Sequence, residues 1–491
     1  MTNRQPPSGI STQDWDATPH SVKTLVYTLL ATVDELQKTV SQLRTRVTQL
    51  EEQVGQNSRN SSKPPSSDPP NVKKPPPKEK GKRKQGGQPG HVGRGRRLKP
   101  PGEVNRFVVS KPTCCEACGT LLLGEDPCPQ RHQVCELPPI VPEIIEYQVH
   151  TLACLHCGHE TTAEPPLGMP TGSFGPRVQA ITGLLVGRYT VSRRDVREIL
   201  ATIFQVEMGL GTVSNQEAQM STILAEPVAE AQAHVQQQQQ VNVDETSWAK
   251  HNKKQWLWTA TTPLVTVFLI MASRSTAAAK QLLGQQIAAV IGSDRFSAYN
   301  WLDSSRRQLC WAHLLRDFQA FVERNGESAM IGQALLQQAS QMFALWYRVR
   351  DGTLSHADFQ VVMRPIRQEI DTWLQIGTYS DQAKTAGTCR NILKFAPALW
   401  TFVDTPGVEP TNNAAERALR RGVMWRKRSF GSQSERGLRF TERILTVVTT
   451  LRQQNRNVLA YLTAACEAQH FGLPAPSLLP VDSQADLIST N

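Results

Sequence analysis

No run of the roughly 20 apolar residues that a membrane-spanning helix needs occurs in the 491-residue chain. The N-terminal segment also lacks the apolar core of a secretory signal, carrying Asp14, Asp16 and prolines there instead. Both absences point to a soluble, cytosolic protein with no membrane partner, in a compartment that keeps thiols reduced. The ten cysteines are therefore read as free thiols or metal ligands rather than as disulfides. Acid is nearly missing from one region: between Asn71 and Pro100 eleven Lys or Arg residues meet the single acid Glu79, so this stretch carries +10 of the net +11. Positive charge gathered in one place suits a polyanion, because Lys and Arg gain affinity by releasing counterions from phosphates. Lys82, Arg83, Lys84, Arg94, Arg96 and Arg97 are the candidate contacts on DNA. A chain this long exceeds one ordinary core and is expected to form several units joined by linkers.

What is present divides the chain into segments. Val26, Leu29, Val33, Leu36, Val40, Leu43, Val47, Leu50 and Val54 repeat in a four-three rhythm. Val at a and Leu at d favour a parallel two-stranded coiled coil over residues 20–55, and hence self-association. Residues 56–105 turn to Asn, Ser, Pro, Lys and Gly, a composition that cannot bury a core and reads as a disordered basic linker. Residues 106–166 contain two knuckles, Cys115-Glu-Ala-Cys118-Gly and Cys154-Leu-His-Cys157-Gly. Two residues between thiolates suit chelation of one ion, and the following glycine permits the tight turn. One structural Zn2+ on Cys115, Cys118, Cys154 and Cys157 is expected, with Cys114, Cys128, Cys135, His132 and His150 as substitute ligands. Over residues 175–235 the spacing turns helical. Ser192 stands before one helix as a cap, and Gly209 to Ser214, with Glu217 three residues later, reads as a turn and a second capped helix. This is the pattern of a helix-turn-helix.

After the glutamine run 236–240 the periodicity changes again. Gln240 to Trp248, Gln255 to Ala260 and Leu264 to Ala272 read as strands, Ser275 to Leu283 as a helix, and Ala288 to Ile291 as a fourth strand. Three strands, a helix and a strand are the order of an α/β ribonuclease-H-like core. Asp244 falls on the first, central strand, and Asp294 follows the fourth. Side by side, two carboxylates repel each other unless a cation lies between them. Two divalent ions about 3.5–4 Å apart are the arrangement that phosphoryl transfer uses, and a third carboxylate completes it. Glu409, Glu416, Glu435 and Glu442 are the candidates by context. Glu416 stands out, because Asn413 suits an N-cap and puts Glu416 on a first helical turn, followed by Arg417, Arg420 and Arg421. Arg426, Lys427 and Arg428 lie in a basic stretch, Arg426 to Ser432, suited to phosphates. His313 reads equally as a core histidine or as a group near the site.

These segments together resemble the large transposase of the insertion sequence sixty-six family, bacterial DDE transposases. The resemblance is carried by Asn57 to Asp68 (NSRNSSKPPSSD), Gly86 to His91 (GGQPGH), the two knuckles, Asp244-Glu-Thr246 and Asp294-Arg-Phe-Ser-Ala-Tyr299. Cys310-Trp-Ala-His313 and Asn412-Asn-Ala-Ala-Glu416-Arg417 complete it. Thr411 stands where the family often has an acid. The resemblance implies that Asp244, Asp294 and Glu416 form the catalytic triad and hold two Mg2+ or Mn2+. It implies a ribonuclease-H-like core over 240–450, a helical insertion at about 325–405, and a C-terminal helix and tail over 451–491. The activity implied is metal-dependent cleavage and strand transfer at the ends of a bacterial insertion sequence, in the cytoplasm and on the nucleoid when DNA is bound. Terminal inverted repeats, target DNA and accessory proteins of the same element are the implied partners. A DNA-binding protein that has lost catalysis, or a nuclease or resolvase that cuts without joining, stays open as an alternative.

Overall fold

The computed structural model describes residues 7–61, 97–170, 172–324 and 326–480. The arm residues Lys82, Arg83, Lys84, Arg94 and Arg96, the Gly86 to His91 motif and the end of the Asn57 to Asp68 motif lie outside the described residues; Arg97 is described and exposed. Ser11 caps the short helix α1 (Thr12–Ala17), its hydroxyl accepting from Asp14 N at 3.2 Å. Helix α2 (His20–Gly55) then runs for 36 residues, about 54 Å at 1.5 Å per residue. Its heptad stripe is uncovered in the single chain: Leu36 is 59% and Leu43 58% exposed.

The cysteine pairs sit in two turns of one design. In the first, Cys114 bridges Leu121, Cys115 N donates to Thr120 O (2.8 Å) and Gly119 N to Cys115 O (2.9 Å). The second joins strands β1 (Thr151–Ala153) and β2 (Glu160–Thr162), with Cys154 N donating to His159 O and Gly158 N to Cys154 O, both at 2.8 Å. Gly119 and Gly158 adopt φ +73° and +74°, the left-handed backbone that favours glycine.

Helices α3 (Pro176–Gly187), α4 (Arg193–Phe204) and α5 (Leu210–Ile223) follow. Ser192 caps α4 as the sequence suggests, accepting from Asp195 N at 3.2 Å. The second helix differs from expectation. It starts at Leu210 rather than after Ser214, and Gly209 occupies its cap position. Glu217 is no capping residue: it is buried and accepts two 2.7 Å bonds from the Arg193 guanidinium. The exposed stripe of α5 holds Gly211, Asn215 and Gln219 and no basic group.

Helix α6 (Ala225–Gln236) leads to the sheet, and its Gln236 Nε2 donates to Leu282 O at 3.0 Å. Strands β3 (Gln240–Lys250), β4 (Lys253–Thr261) and β5 (Thr266–Met271) form antiparallel neighbours. Helix α7 (Thr276–Leu283) crosses over to β6 (Val290–Ser293), and β7 (Arg307–Leu309) follows. The five-stranded order is β5-β4-β3-β6-β7, with β6 parallel to β3 and β7 parallel to β6. Strand β3 is thus central, covered on both flanks, which accounts for its buried Val241, Val243 and Trp248.

Helix α8 (Trp311–Val322) leaves β7 and opens a helical region: α9 (Gly326–Arg350), α10 (His356–Gly377), α11 (Ala383–Leu393) and α12 (Thr401–Asp404). Its core is aromatic. Phe402 packs on Trp346 and Phe359, at ring centroids of 5.5 and 6.0 Å, and Trp400 packs on Trp311 at 5.2 Å. The same segment fastens itself to β7: Thr401 Oγ1 donates to Arg307 O (2.7 Å), Phe402 N to Gln308 Oε1 (2.8 Å) and Gln308 Nε2 to Leu399 O (3.2 Å). Helix α13 (Asn413–Ser429) then lies on β3 and β4, burying Ala415, Leu419, Gly422 and Trp425.

Helices α14 (Glu435–Gln453) and α15 (Val458–His470) pack with α3 and α5. By packing, the described residues within 7–61, 228–434 and 478–480 form one compact unit, and those within 97–227 and 435–477 the other. The chain therefore leaves the sheet unit after Ser434 and returns to it at Leu478, whereas the sequence reading carries the core to 450. The cause lies in the buried face of α14, where Ile444 fills the space left by the absent side chain of Gly187 in α3.

Truncation of the fully buried Phe402 to alanine should remove about 3–5 kcal/mol of stability, read as a lower midpoint in guanidinium unfolding of the full chain. A loss below about 1 kcal/mol would mean that its aromatic neighbours close over the gap.

Candidate active site

Strand register brings the first two acids together. The parallel pairing of Gln240, Val241 and Asn242 with Val290, Ile291 and Gly292, continued by two residues, sets Asp244 level with Asp294. Neighbouring strands lie about 4.8 Å apart, and residues in register point to the same face. Both carboxylates therefore emerge side by side. Asp294 Oδ1 accepts from Phe296 N at 2.9 Å, while Arg307, wholly buried, donates to Ser293 Oγ (3.1 Å) and Asp294 O (2.7 Å) and fixes the strand end from below.

The third acid arrives through a set of buried hydrogen bonds. Cys310 N donates to Ser293 O at 2.9 Å, tying the end of β7 to the end of β6. Asn412 N donates to Cys310 Sγ at 3.2 Å, and Asn412 Nδ2 donates across to Val243 O on β3 at 2.5 Å. Trp311 N donates to Pro410 O at 2.9 Å. The start of α13 is thereby pinned over both aspartate-bearing strands. Asn412, not Asn413, takes the cap position, and its side chain is spent on β3 instead of on a capping bond. Glu416 falls on the first turn as expected.

Around Glu416 stand His313, whose Nδ1 lies 3.7 Å from Glu416 Oε1, and Arg316, whose guanidinium is 4.0 Å from Oε2. The 3.7 Å separation is too long for a hydrogen bond, and both His313 Nδ1 and Glu416 Oε1 are buried without a hydrogen-bond partner. Burial lowers the pKa of His313, against the pull of Asp294 and Glu416 in the other direction. Among the described residues, Cys310, His313 and Glu416 are the one group of three or more potential metal donors whose ligand atoms lie within 4.8 Å of one another. Burial pushes the Cys310 thiol up to about 11.

The two aspartates crowd further negative charge beside Glu416. Asp244 retains some solvent access, yet desolvation drives its carboxyl well above the usual carboxylate range, with Glu245, Asp294 and Glu416 adding to the rise. Glu245, the next residue on β3, faces the opposite side. It accepts from Tyr299 Oη at 2.5 Å and from Arg274 at 2.6 and 2.8 Å. Burial raises it as well, and those two donors draw it back. The Asp244-Glu-Thr246 and Asp294 to Tyr299 motifs thus meet through a structural bond on the far face. Asp317 pairs with Arg295, and burial raises it.

The arginines read from the sequence part company. Arg417, Arg420, Lys427 and Arg428 are exposed along α13 and Arg421 is half-buried. Arg426 is committed to the sheet, donating to Ser247 O, to Ser247 Oγ (2.6 Å) and to Thr246 Oγ1 (3.1 Å). Beyond α13 the chain docks as a turn: Ser432 N donates to Ala249 O at 2.9 Å, and Gly431 adopts φ +106° against that carbonyl. Arg97 is remote in sequence and exposed. The two cysteine pairs, Cys115 with Cys118 and Cys154 with Cys157, form separate turns and are not gathered into one donor group. Within each turn local hydrogen bonds favour the thiolate: the Thr120 hydroxyl lowers Cys118, and the Cys157 backbone lowers Cys154. Asn412, Arg316, Glu245 and Arg307 were not singled out by sequence reasoning. For Arg316 the signal was its i+3 spacing from His313, and for Glu245 the alternation of faces along β3.

The carboxylates and the partnerless Glu416 oxygen are hard donors with excess negative charge, a set that fits a divalent oxygen-seeking cation. Because Asp244 is raised, its contribution to stability is fully present below the ordinary carboxylate range and is lost as pH rises through the raised folded value. In chelator, melting temperature should therefore fall with rising pH for the native protein and less steeply for Asp244→Asn. Mg2+ should restore the native protein and not the variant. Equal pH slopes in the two proteins would refute the assignment of the strain to Asp244.

Comparison with known proteins covers this region. The family described as Transposase IS66 family matches residues 189–440, just over half of the chain, and its span holds Asp244, Asp294, Cys310, His313 and Glu416. A family of unknown function matches residues 16–97. The uncharacterized protein y4qI of Sinorhizobium fredii (strain NBRC 101917 / NGR234) is 24% identical over 265 residues, 48% of each chain. The chain thus spans about half the length of that curated relative. Given the length of the family match, the chain belongs to the IS66 family of transposases.

Proposed function

We propose that the protein is a DDE-type DNA transposase acting at the ends of a bacterial insertion sequence, with Asp244, Asp294 and Glu416 as its catalytic carboxylates. The observation that carries this reading is the meeting of two acids from adjacent parallel strands with a third from a helix pinned over them. Family membership supports it. The sheet order, three antiparallel strands followed by two parallel ones with β3 central, fits a ribonuclease-H-like core with a helical insertion between α8 and α13.

Two Mg2+ or Mn2+ ions, when held by the three acids, supply activation of an attacking oxygen and stabilisation of the leaving one. The chain's own residues position the acids. Asn412 holds the Glu416 helix against β3, Arg307 fixes the backbone behind Asp294, and the Glu245–Arg274–Tyr299 set keeps β3 in place from the far face. Exposed Arg417, Arg420, Lys427 and Arg428 run from this site along α13, a basic track suited to DNA phosphates. Water attacks the phosphodiester at an element end and displaces its 3'-oxygen; the freed 3'-hydroxyl then attacks a target phosphodiester and displaces a 3'-hydroxyl of the target strand.

Other segments serve recognition and pairing. Arg194 and Arg197 on α4 are exposed and, with the arm from Lys82 to Arg97, suit contacts with DNA. Each cysteine turn is half of a tetrahedral site, and one Zn2+ shared by Cys115, Cys118, Cys154 and Cys157 would join the two turns. The uncovered a/d stripe of α2 suits a second copy in a parallel coiled coil, which would bring two element ends together.

Alanine at Asp244, Asp294 or Glu416 should lower Mg2+-dependent end cleavage and strand transfer by about three orders of magnitude or more, as loss of roughly 4 kcal/mol of transition-state stabilisation requires. Binding to end DNA in gel shift should persist. Unchanged joining of pre-cleaved ends in any one variant removes that residue from the triad, and cleavage without joining in the native protein favours a nuclease. Leu36→Glu with Leu43→Glu should convert a dimer to a monomer in light scattering; a dimer that survives places self-association elsewhere.

A further inference from the structure

Glu416 is shared by two donor sets of different chemistry. Asp244 and Asp294 offer oxygen alone. Beside them Cys310 offers sulfur and His313 a ring nitrogen, and these two ligand atoms and a Glu416 oxygen all lie within 4.8 Å of one another. Oxygen sets select hard cations such as Mg2+, whereas thiolate with imidazole selects zinc and its like.

The spacing suits such an ion. Ligand atoms held about 2.0–2.3 Å from a tetrahedral zinc lie about 3.3–3.8 Å apart, and His313 Nδ1 is 3.7 Å from Glu416 Oε1. Both atoms are buried and lack hydrogen-bond partners. Cys310 and His313 sit three residues apart, at the cap and on the first turn of α8, so they share a face. Asn412 N already donates to the sulfur at 3.2 Å, and the N-terminus of the twelve-residue α8 adjoins it. Both offset in part the burial that pushes this thiol up to about 11, and the metal itself must replace the proton.

We propose that Cys310, His313 and Glu416 form a binding site for a thiophilic divalent cation of the zinc class, and that its occupation holds Glu416 away from Asp244 and Asp294. Binding replaces the thiol proton, which leaves to solvent, with no change of oxidation state. Three protein ligands leave a fourth position for water. Metal identity then decides the state of Glu416: Mg2+ engages it with the aspartates, and zinc retains it beside His313. The site stands independently of the transposase reading; only the consequence for catalysis rests on it.

Zinc content of the full-length protein, equilibrated in a zinc buffer, should be one ion per chain higher for the native protein than for Cys310→Ser. Cys310→His should regain that ion while its cobalt derivative loses one thiolate contribution to the charge-transfer absorption. Equal zinc content in native protein and Cys310→Ser overturns the site. Cadmium NMR on the native protein alone avoids reliance on variant folding: a resonance of single-thiolate coordination, separate from any multi-thiolate signal, is expected, and its absence also overturns the site. With zinc at about ten times its dissociation constant, Mg2+-dependent end cleavage by the native protein should fall about tenfold, and cleavage by Cys310→Ser should change little relative to its own rate in Mg2+ alone. An unaltered native rate in zinc overturns the withdrawal of Glu416. A native protein that never cleaves in Mg2+ instead refutes the transposase reading, and the zinc count still decides the site.

Discussion

The arrangement of the acids depends on what Asn412 does with its two nitrogen donors. Its backbone N–H goes to Cys310 Sγ, and its side-chain amide reaches Val243 O on the central strand. Cys310 in turn donates to Ser293 O at the end of β6. One buried residue therefore links the strand of Asp244, the strand of Asp294 and the helix of Glu416. Each of these bonds is modest in net worth, about 1 kcal/mol, but an unpaired buried donor here would cost more than the bond contributes. The geometry is consequently held by necessity of burial rather than by the strength of any single contact.

A second constraint follows from the charge that this geometry collects. Desolvation and three neighbouring acids raise Asp244, so without a cation the site gains nothing from ionising it. Glu245 is raised as well, but it turns to the far face, where Arg274 and Tyr299 bind it and draw it part of the way back. Two adjacent acids on one strand thus take opposite roles purely by the alternation of a pleated strand. One is satisfied within the fold, and the other awaits a partner from outside it.

Much of this was legible in the sequence where one residue type answers to one local rule. The strand and helix order from 240 to 293 follows from β-branched or aromatic runs and turn residues, and it places Asp244 centrally and Asp294 at a strand end. Ser192 was readable as a cap for the same reason. Ser214 and Asn413 were misread, because helix starts near them are set by tertiary demand: Glu217 is drawn to Arg193, and Asn412 to Val243. Arg426 looked like a phosphate contact since charge patterning cannot reveal that a guanidinium lies across Ser247. Nor could local pattern show that α14 belongs with α3, a match of Ile444 to a missing side chain at Gly187 some 257 positions earlier. The approach of Glu416 to His313 and Arg316 on α8 was open to the sequence only as one of two readings of His313, because it depends on two elements far apart in the chain.

That helical region does more than separate Asp294 from Glu416. Leu399, Thr401 and Phe402 lie against β7, the last strand of the sheet, and bond the Arg307 carbonyl and the side-chain amide of Gln308. An open strand edge is a template on which a foreign strand can pair. Here the chain closes that template with its own aromatic-cored helices, so the insertion protects the protein against edge-to-edge aggregation on the side of the sheet nearest its acids.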